Sequence, residues 1–361
     1  MDEAAAPVPR PRRGPLGPAV RRALLAGLAS LVLFWRILRA NVLSLVGFVL
    51  VAIICLTALV VVVAPHLLVP YGPTQITSET QNWQPPSWQH PFGTDGNSYD
   101  IYSNVMLALP LDLGIGIFIA GISLLGGGAL GLVAGYWDRP RTLGGATSVV
   151  ILRITDIFLA FPSLILALAI SVSLGRGVWQ TILAVTITWW PYYVRLVRGE
   201  VLAVKHLPYV SAARAAGVKD GRIVLRHILR NVLEPVVVYF TLDIGTVLVT
   251  FSTIGFVAHA IPYPSSTPEW GSMISYYQGN GLITAYPWTV LAPGAAIFIT
   301  VLAFSLLGDG LRDVLDPRSR RILAGYGRGT PGGSSEEGTA APAPATGAAG
   351  PAAAPAEGGG G

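Results

Sequence analysis

Reactive side chains are few in this 361-residue chain, and their spacing assembles no catalytic centre. A Gly-x-x-x-x-Gly-Lys-Ser/Thr phosphate loop needs a lysine, and with only Lys205 and Lys219 present none can be hidden. The histidines, His66, His90, His206, His227 and His259, lack zinc-ligand spacing. A lone Cys55 excludes intrachain disulfides and thiolate clusters, and is expected to be a small apolar packing residue. Asp95 and Asp100 are a weak calcium signal, because two carboxylates without further ligands do not make a site. No catalytic residue, metal or bound cofactor is expected.

One polar stretch stands out, "YVSAARAAGVKDGRIVLRHILRN" (209–231), set between long apolar runs. Pro208 suits the first turn of a helix, where its missing N–H costs nothing. From there Val210, Ala213 and Ala216 or Gly217 share one face, while Arg214 points elsewhere. Gly217 sits where a left-handed cap would end the helix. Asp220 is placed to cap a second helix, Gly221–Arg230. The pattern describes a short helix whose small residues let another backbone approach. A basic, solvated loop is the competing reading.

The elements that must position this stretch follow from composition. Only 12% of residues are charged and 52% are hydrophobic, too few charges to cover a water-soluble fold of this length. Six apolar runs, Val42–Ala64, Leu113–Tyr136, Ile157–Leu174, Val178–Val194, Pro235–Ala258 and Trp288–Gly308, approach the roughly 20 residues needed to span a bilayer. Their length and lack of period-two alternation predict an all-α, polytopic membrane protein with about six spans. Of 24 Lys and Arg, all but Arg176 fall on one side of that arrangement, which places both termini in the cytoplasm. Residues 1–40 form a basic N-terminal segment in which Ala23–Trp35 is expected to lie at the interface. Residues 41–316 form the transmembrane domain, with an external segment 65–112 and a cytoplasmic loop 205–227. From 317 to 361 the chain becomes a low-complexity tail, expected to be disordered.

Within the spans, Gly127, Gly131 and Gly135 make a face for close helix approach, to this chain or to another. Pro162, Pro191 and Pro293 can bend helices, for packing or for gating. Asp243 is the ionisable residue well inside a span, and at about 2.5–3.5 kcal/mol for a mid-helix carboxylate it must face protein. Structural hydrogen bonding and a place in a translocation pathway are both open to it.

"YVSAARAAG" resembles the Glu-Ala-Ala-x-x-x-Gly loop of ABC importer permeases. "HPFGTD" (90–95), "AFPSLILALAI" (160–170), "RHILRNVLEP" (226–235) and "YPWTVLAPGAAIFITVLAFSLLGDGLRDVLDPR" (286–318) extend the resemblance to the dipeptide/oligopeptide (and nickel) permease family, specifically its second permease subunit. The resemblance covers about residues 36–318. It implies a type I importer permease fold and a bacterial inner-membrane location. The implied partners are a related permease, two ATPase subunits (or one fused ATPase) and an external solute-binding protein, with ATP and Mg held by the ATPases. It assigns Tyr209, Ser211, Ala212, Ala213, Arg214 and Gly217 to ATPase coupling, with Ser211 standing where the family has glutamate. After "HPFGTD" the family's Gly-Arg before aspartate is replaced by Ser98 and Tyr99 ahead of Asp100. The long external segment suggests binding-protein docking through Trp83, Trp88, Asp95 and Asp100. The implied function is ATP-driven peptide import, with nickel, haem or sugar as alternative cargoes. An ion-coupled secondary transporter and an assembly scaffold are the other classes. Copurified ATPase subunits would separate the first reading from both.

Overall fold

Apolar runs without charges have one way to satisfy their backbone in lipid, and the computed structural model shows it: helices, with no strand beyond two isolated bridges among the described residues. The structure describes residues 42–77, 82–138, 141–279 and 284–315. In chain order the helices are α1 (Val42–Val63), α2 (Ile101–Tyr136), α3 (Leu143–Leu159), α4 (Ser163–Leu174) and α5 (Val178–Val204). Then come α6 (Pro208–Ala215), α7 (Asp220–Ala258), α8 (Trp270–Gly279) and α9 (Trp288–Leu315). The expected interfacial helix Ala23–Trp35 and the C-terminal tail lie outside the described residues.

Among the described residues four helices, α1, α2, α7 and α9, are long and apolar enough to cross a membrane, and five such spans result if the bent pair α3–α4 counts as one. The expected third span, Ile157–Leu174, covers only the bend and second arm of that pair, which begins earlier at Leu143. Its two arms meet at 84°, with Pro162 capping the second. The expected fourth span lies in α5, whose 27 residues reach about 40 Å. Its composition falls short because Gln180, threonines, tryptophans and tyrosines dilute the aliphatic residues, and because the helix runs on through Arg195 and Arg198.

Close packing rests on small residues. A Cβ on Gly127, Gly131 or Gly135 of α2 would lie within 3.0 Å of α5, so this face is filled by the chain's own helix. α9 is held the same way between two neighbours. Gly47 of α1 abuts Leu306, and Gly308 abuts Leu242 of α7. Pro110, Pro191, Pro235 and Pro293 all lie inside helices. Cys55 is exposed on α1 and does not pack inward as expected, because the buried side of α1 is the face of Ser44, Gly47, Ile54, Ala58 and Val61.

Candidate functional site

The end of α5 leads into the polar stretch. Leu207 ends the turn in extended conformation, and Pro208 opens α6 at its first position. Val210 is fully buried and pins α6 into an apolar cluster with Val201, Val204, Ile223, Val224 and Ile228; Ala213 packs at its edge. Tyr209, Ser211, Ala212 and Arg214 are exposed, as are Ala215, Ala216 and Gly217. One buried apolar side chain therefore anchors the helix, and the outward surface mixes small residues with Tyr209 and Arg214. Ala216 and Gly217, expected on the anchored face, lie beyond its reach.

Termination is specific. Gly217 has φ of +75°, its N–H donates to the Arg214 carbonyl at 3.0 Å, and the Val218 N–H donates to the Ala213 carbonyl at 3.2 Å. These paired bonds form a Schellman motif, in which glycine at the left-handed position avoids a Cβ clash. Among the described residues, nothing beyond its chain neighbours lies within 4 Å of where a Cβ on Gly217 would sit.

Asp220 does not cap as expected. Lys219 occupies the cap position without a side-chain bond, and Asp220 is the first residue of α7. Its carboxylate instead accepts the Tyr136 hydroxyl from the end of α2. Arg214 lies over the same tyrosine ring, 5.9 Å from its centroid, and Lys205 Nζ donates to the Gly135 carbonyl at 2.9 Å. The last turn of α2 thus receives two cations, where a helix C-terminus favours them. Arg198 pairs with Asp138 at 2.9 Å and Arg195 with Asp156 at 2.8 Å, tying α5 to the α2–α3 turn and to α3. Just beyond α6, α7 contains one π turn, Val224–Ile228.

Asp243 faces protein. It is 4% exposed, and a single oxygen, Oδ2, accepts from Trp189 Nε1 at 2.9 Å and from the Tyr193 hydroxyl at 2.7 Å. Both donors come from α5, so the carboxylate joins α5 to α7. It is not the only acid within a helix that crosses the membrane. α2 begins at Ile101, with Asp100 as its N-cap, and therefore contains Asp112, which the sequence reading left in the external segment. Asp112 is buried and accepts the Trp270 N–H at 3.1 Å. Glu269 accepts the next two N–H groups of α8, from Gly271 and Ser272, each at 2.7 Å. Burial raises the Glu269 carboxyl above the usual range despite those donors.

The four expected docking residues separate into two kinds. Trp88 is fully exposed, and Trp83 is half-buried, stacked on Tyr286 with centroids 4.3 Å apart. Asp95 and Asp100 have no exposed surface and cannot meet a partner as expected. Asp95 accepts from the backbone of Asn97 and Tyr99 and from the Tyr277 hydroxyl at 3.1 Å, and burial still raises its carboxyl above the usual range. Asp100 accepts from the Ser103 N–H at 2.8 Å and lies 2.8 Å from His90 Nδ1. These carboxylates bind the external segment to α2 and to the 259–287 connection, whereas acids in a loop usually lie at the surface. Among the described residues no cluster of three potential metal ligands exists.

Residues 127–321 match the family model of the binding-protein-dependent transport system inner membrane component. Residues 30–86 match the N-terminal transmembrane domain of oligopeptide transport permease C. A dipeptide transport system permease protein of Alkalihalophilus pseudofirmus is 38% identical over 78% of this chain and 88% of its own. A glutathione transport system permease protein of Pectobacterium atrosepticum is 35% identical over 79% and 90%. A solved structure of the MetNI methionine ABC transporter, inward facing, aligns at 21% identity over 58% of this chain and 97% of that one, with a TM-score of 0.44.

Proposed function

The chain belongs to the family of binding-protein-dependent transport system inner membrane components, in its oligopeptide permease C branch, and from that membership we propose that it forms half of the translocation path of an ATP-driven peptide importer. ATP hydrolysis lies with partner subunits, which hold ATP and Mg; this chain has neither the lysines nor the loop for that work. α6 is the coupling helix. The observation that carries this reading is its construction, with Val210 fully buried on one side and Tyr209, Ser211, Ala212 and Arg214 exposed on the other. A helix fixed from behind, with a low-relief front, suits docking into a cleft on another subunit. Ser211 at the family's glutamate position leaves that dock without one carboxylate.

The α6 end is cytoplasmic, because 23 of the 24 Lys and Arg lie on that side of the arrangement read from the sequence. The opposite end faces the binding protein, with Trp88 as its most exposed aromatic residue. Asp243, bonded within the chain, holds α5 and α7 together and acts on transport through their relative position.

A cysteine placed at Ala212 tests the reading in the assembled complex. Expected is cross-linking to an ATPase subunit, together with ATP-dependent uptake of a dipeptide into proteoliposomes when the binding protein is supplied. A complex that purifies without any ATPase, and a cysteine that captures none, would overturn it.

A further inference from the structure

At the end of the bundle opposite α6, a recess of about 210 Å³ is lined by Arg176, His259, Tyr263, Ser275 and Tyr276, among others. Three elements build it. Arg176 sits on the turn between α4 and α5, between Gly175 at φ +93° and Gly177 at φ +148°. The Gly177 N–H donates to the Ala260 carbonyl at 2.7 Å, which fixes this turn against the end of α7. His259 closes α7 in a left-handed conformation, φ 48° and ψ 35°. A non-glycine residue held there is uncommon and costs backbone strain that the surroundings must hold. α8 supplies Ser275 and Tyr276 as the remaining wall.

The charge in this recess is unbalanced. Arg176 is exposed and has no ion-pair partner among the described residues. It is also the one Lys or Arg that the sequence places on this side of the membrane. Glu269, bonded to Ser272 in the recess wall, and Asp95, bonded to Tyr277 beside it, are fully buried and spent on internal hydrogen bonds. A guanidinium presents a planar fork that matches a carboxylate in two parallel bonds. With liquid water occupying about 30 Å³ per molecule, the recess has room for roughly seven waters, enough for the carboxyl end of a small ligand.

We propose that this recess receives the C-terminal carboxylate of the peptide as it enters the permease, with Arg176 as the charge partner and His259, Tyr263 and Tyr276 shaping the mouth around it. The inference rests on the peptide-importer reading above and deepens it. Free peptides differ in their side chains but share their two charged termini, and of these the carboxylate is the one a guanidinium can bind. A permease that does not read side chains can still hold every cargo by the same end. A concave site favours a ligand terminus over a protein surface, so an acidic side chain of the binding protein is the rival occupant.

The complete complex in nanodiscs, without the binding protein, provides the test. Dialanine and dialanine amide are titrated against wild type, Arg176→Gln and Arg176→Lys, and docking of loaded binding protein is measured on the same samples. Expected is at least tenfold weaker dialanine binding in Arg176→Gln, partial recovery in Arg176→Lys, weak binding of the amide throughout, and docking unchanged within twofold. Equal affinity of wild type for acid and amide overturns the proposal. So does a loss of docking without a loss of dialanine binding, which assigns Arg176 to the binding protein. A wild-type complex that binds dialanine at Arg176 but fails to import it under ATP breaks the importer reading and leaves the recess standing.

Discussion

The seam between α2 and α5 and the cap of α6 are both built from glycine and other small residues, yet the two places differ in what comes close. At the seam the approaching surface is the chain's own. A Cβ on Gly131 would lie 2.8 Å from the Val194 carbonyl oxygen and 2.9 Å from Val197 Cβ. At the cap nothing among the described residues approaches within 4 Å, and glycine is demanded by φ alone. The first set of glycines serves folding. The second leaves an accessible small-residue surface, which gains a purpose when another subunit is supplied.

The strongest test of this contrast is Gly131→Leu. Packing a side chain against backbone costs about 1–3 kcal/mol or more, and the neighbouring helix cannot yield at one point alone. The yield of monodisperse protein from detergent extracts should fall at least tenfold. A normal yield would mean that the seam is looser than the distances imply.

Gly217→Val should behave oppositely. The left-handed conformation costs a side chain about 1–2 kcal/mol, too little to unfold the bundle but enough to redirect α6. Expected are normal yield, at least tenfold less ATPase recovered with the complex, and lost uptake. Gly217→Asn, which tolerates this conformation, should retain most activity. Full uptake in Gly217→Val would remove α6 from the coupling role.

A polar seam sharpens the comparison. Both donors to Asp243 meet one oxygen, so Asp243→Asn can keep both bonds with its carbonyl, while Asp243→Ala strands two buried donors at about 1–3 kcal/mol each. Thermal stability in detergent should drop clearly for alanine and little for asparagine. Equal drops would show that the charge itself holds the seam. The smallest effect belongs to Ser211→Ala on the exposed face of α6, with uptake expected within twofold of wild type. A larger loss would mean that the hydroxyl makes a specific bond to the ATPase.

Much of this was legible from local pattern. Pro208 and Gly217 mark the ends of α6 through backbone restrictions that each residue carries by itself. The cost of burying charge in lipid turns Asp243 inward whatever its neighbours. Long-range partners left no such mark. Asp220 reads as a cap until Tyr136, 84 positions earlier in the chain, takes its carboxylate. Asp95 and Asp100 read as surface acids because the tyrosine, histidine and backbone donors that bury them are spread over the 90–103 turn and α8. Arg176 and His259 line one recess only because the α4–α5 turn is bonded to Ala260, two residues beyond α7. The bend at Pro162 was foreseen as a possibility, but its 84° angle depends on tertiary packing.

α7 begins three residues after Gly217 and ends at the residue before His259. Its 39 residues, at 1.5 Å each, follow a path about 58 Å long through the π turn and Pro235, and a tilt of roughly 2° over that length displaces the far end by about 2 Å. Of the two ends, one is fastened beside the docking helix and the other carries a wall of the recess around Arg176. Leverage of this kind needs no relay of side chains. If α6 docks an ATPase as proposed, a small rotation imposed at that end reaches the recess as a displacement of about 2 Å.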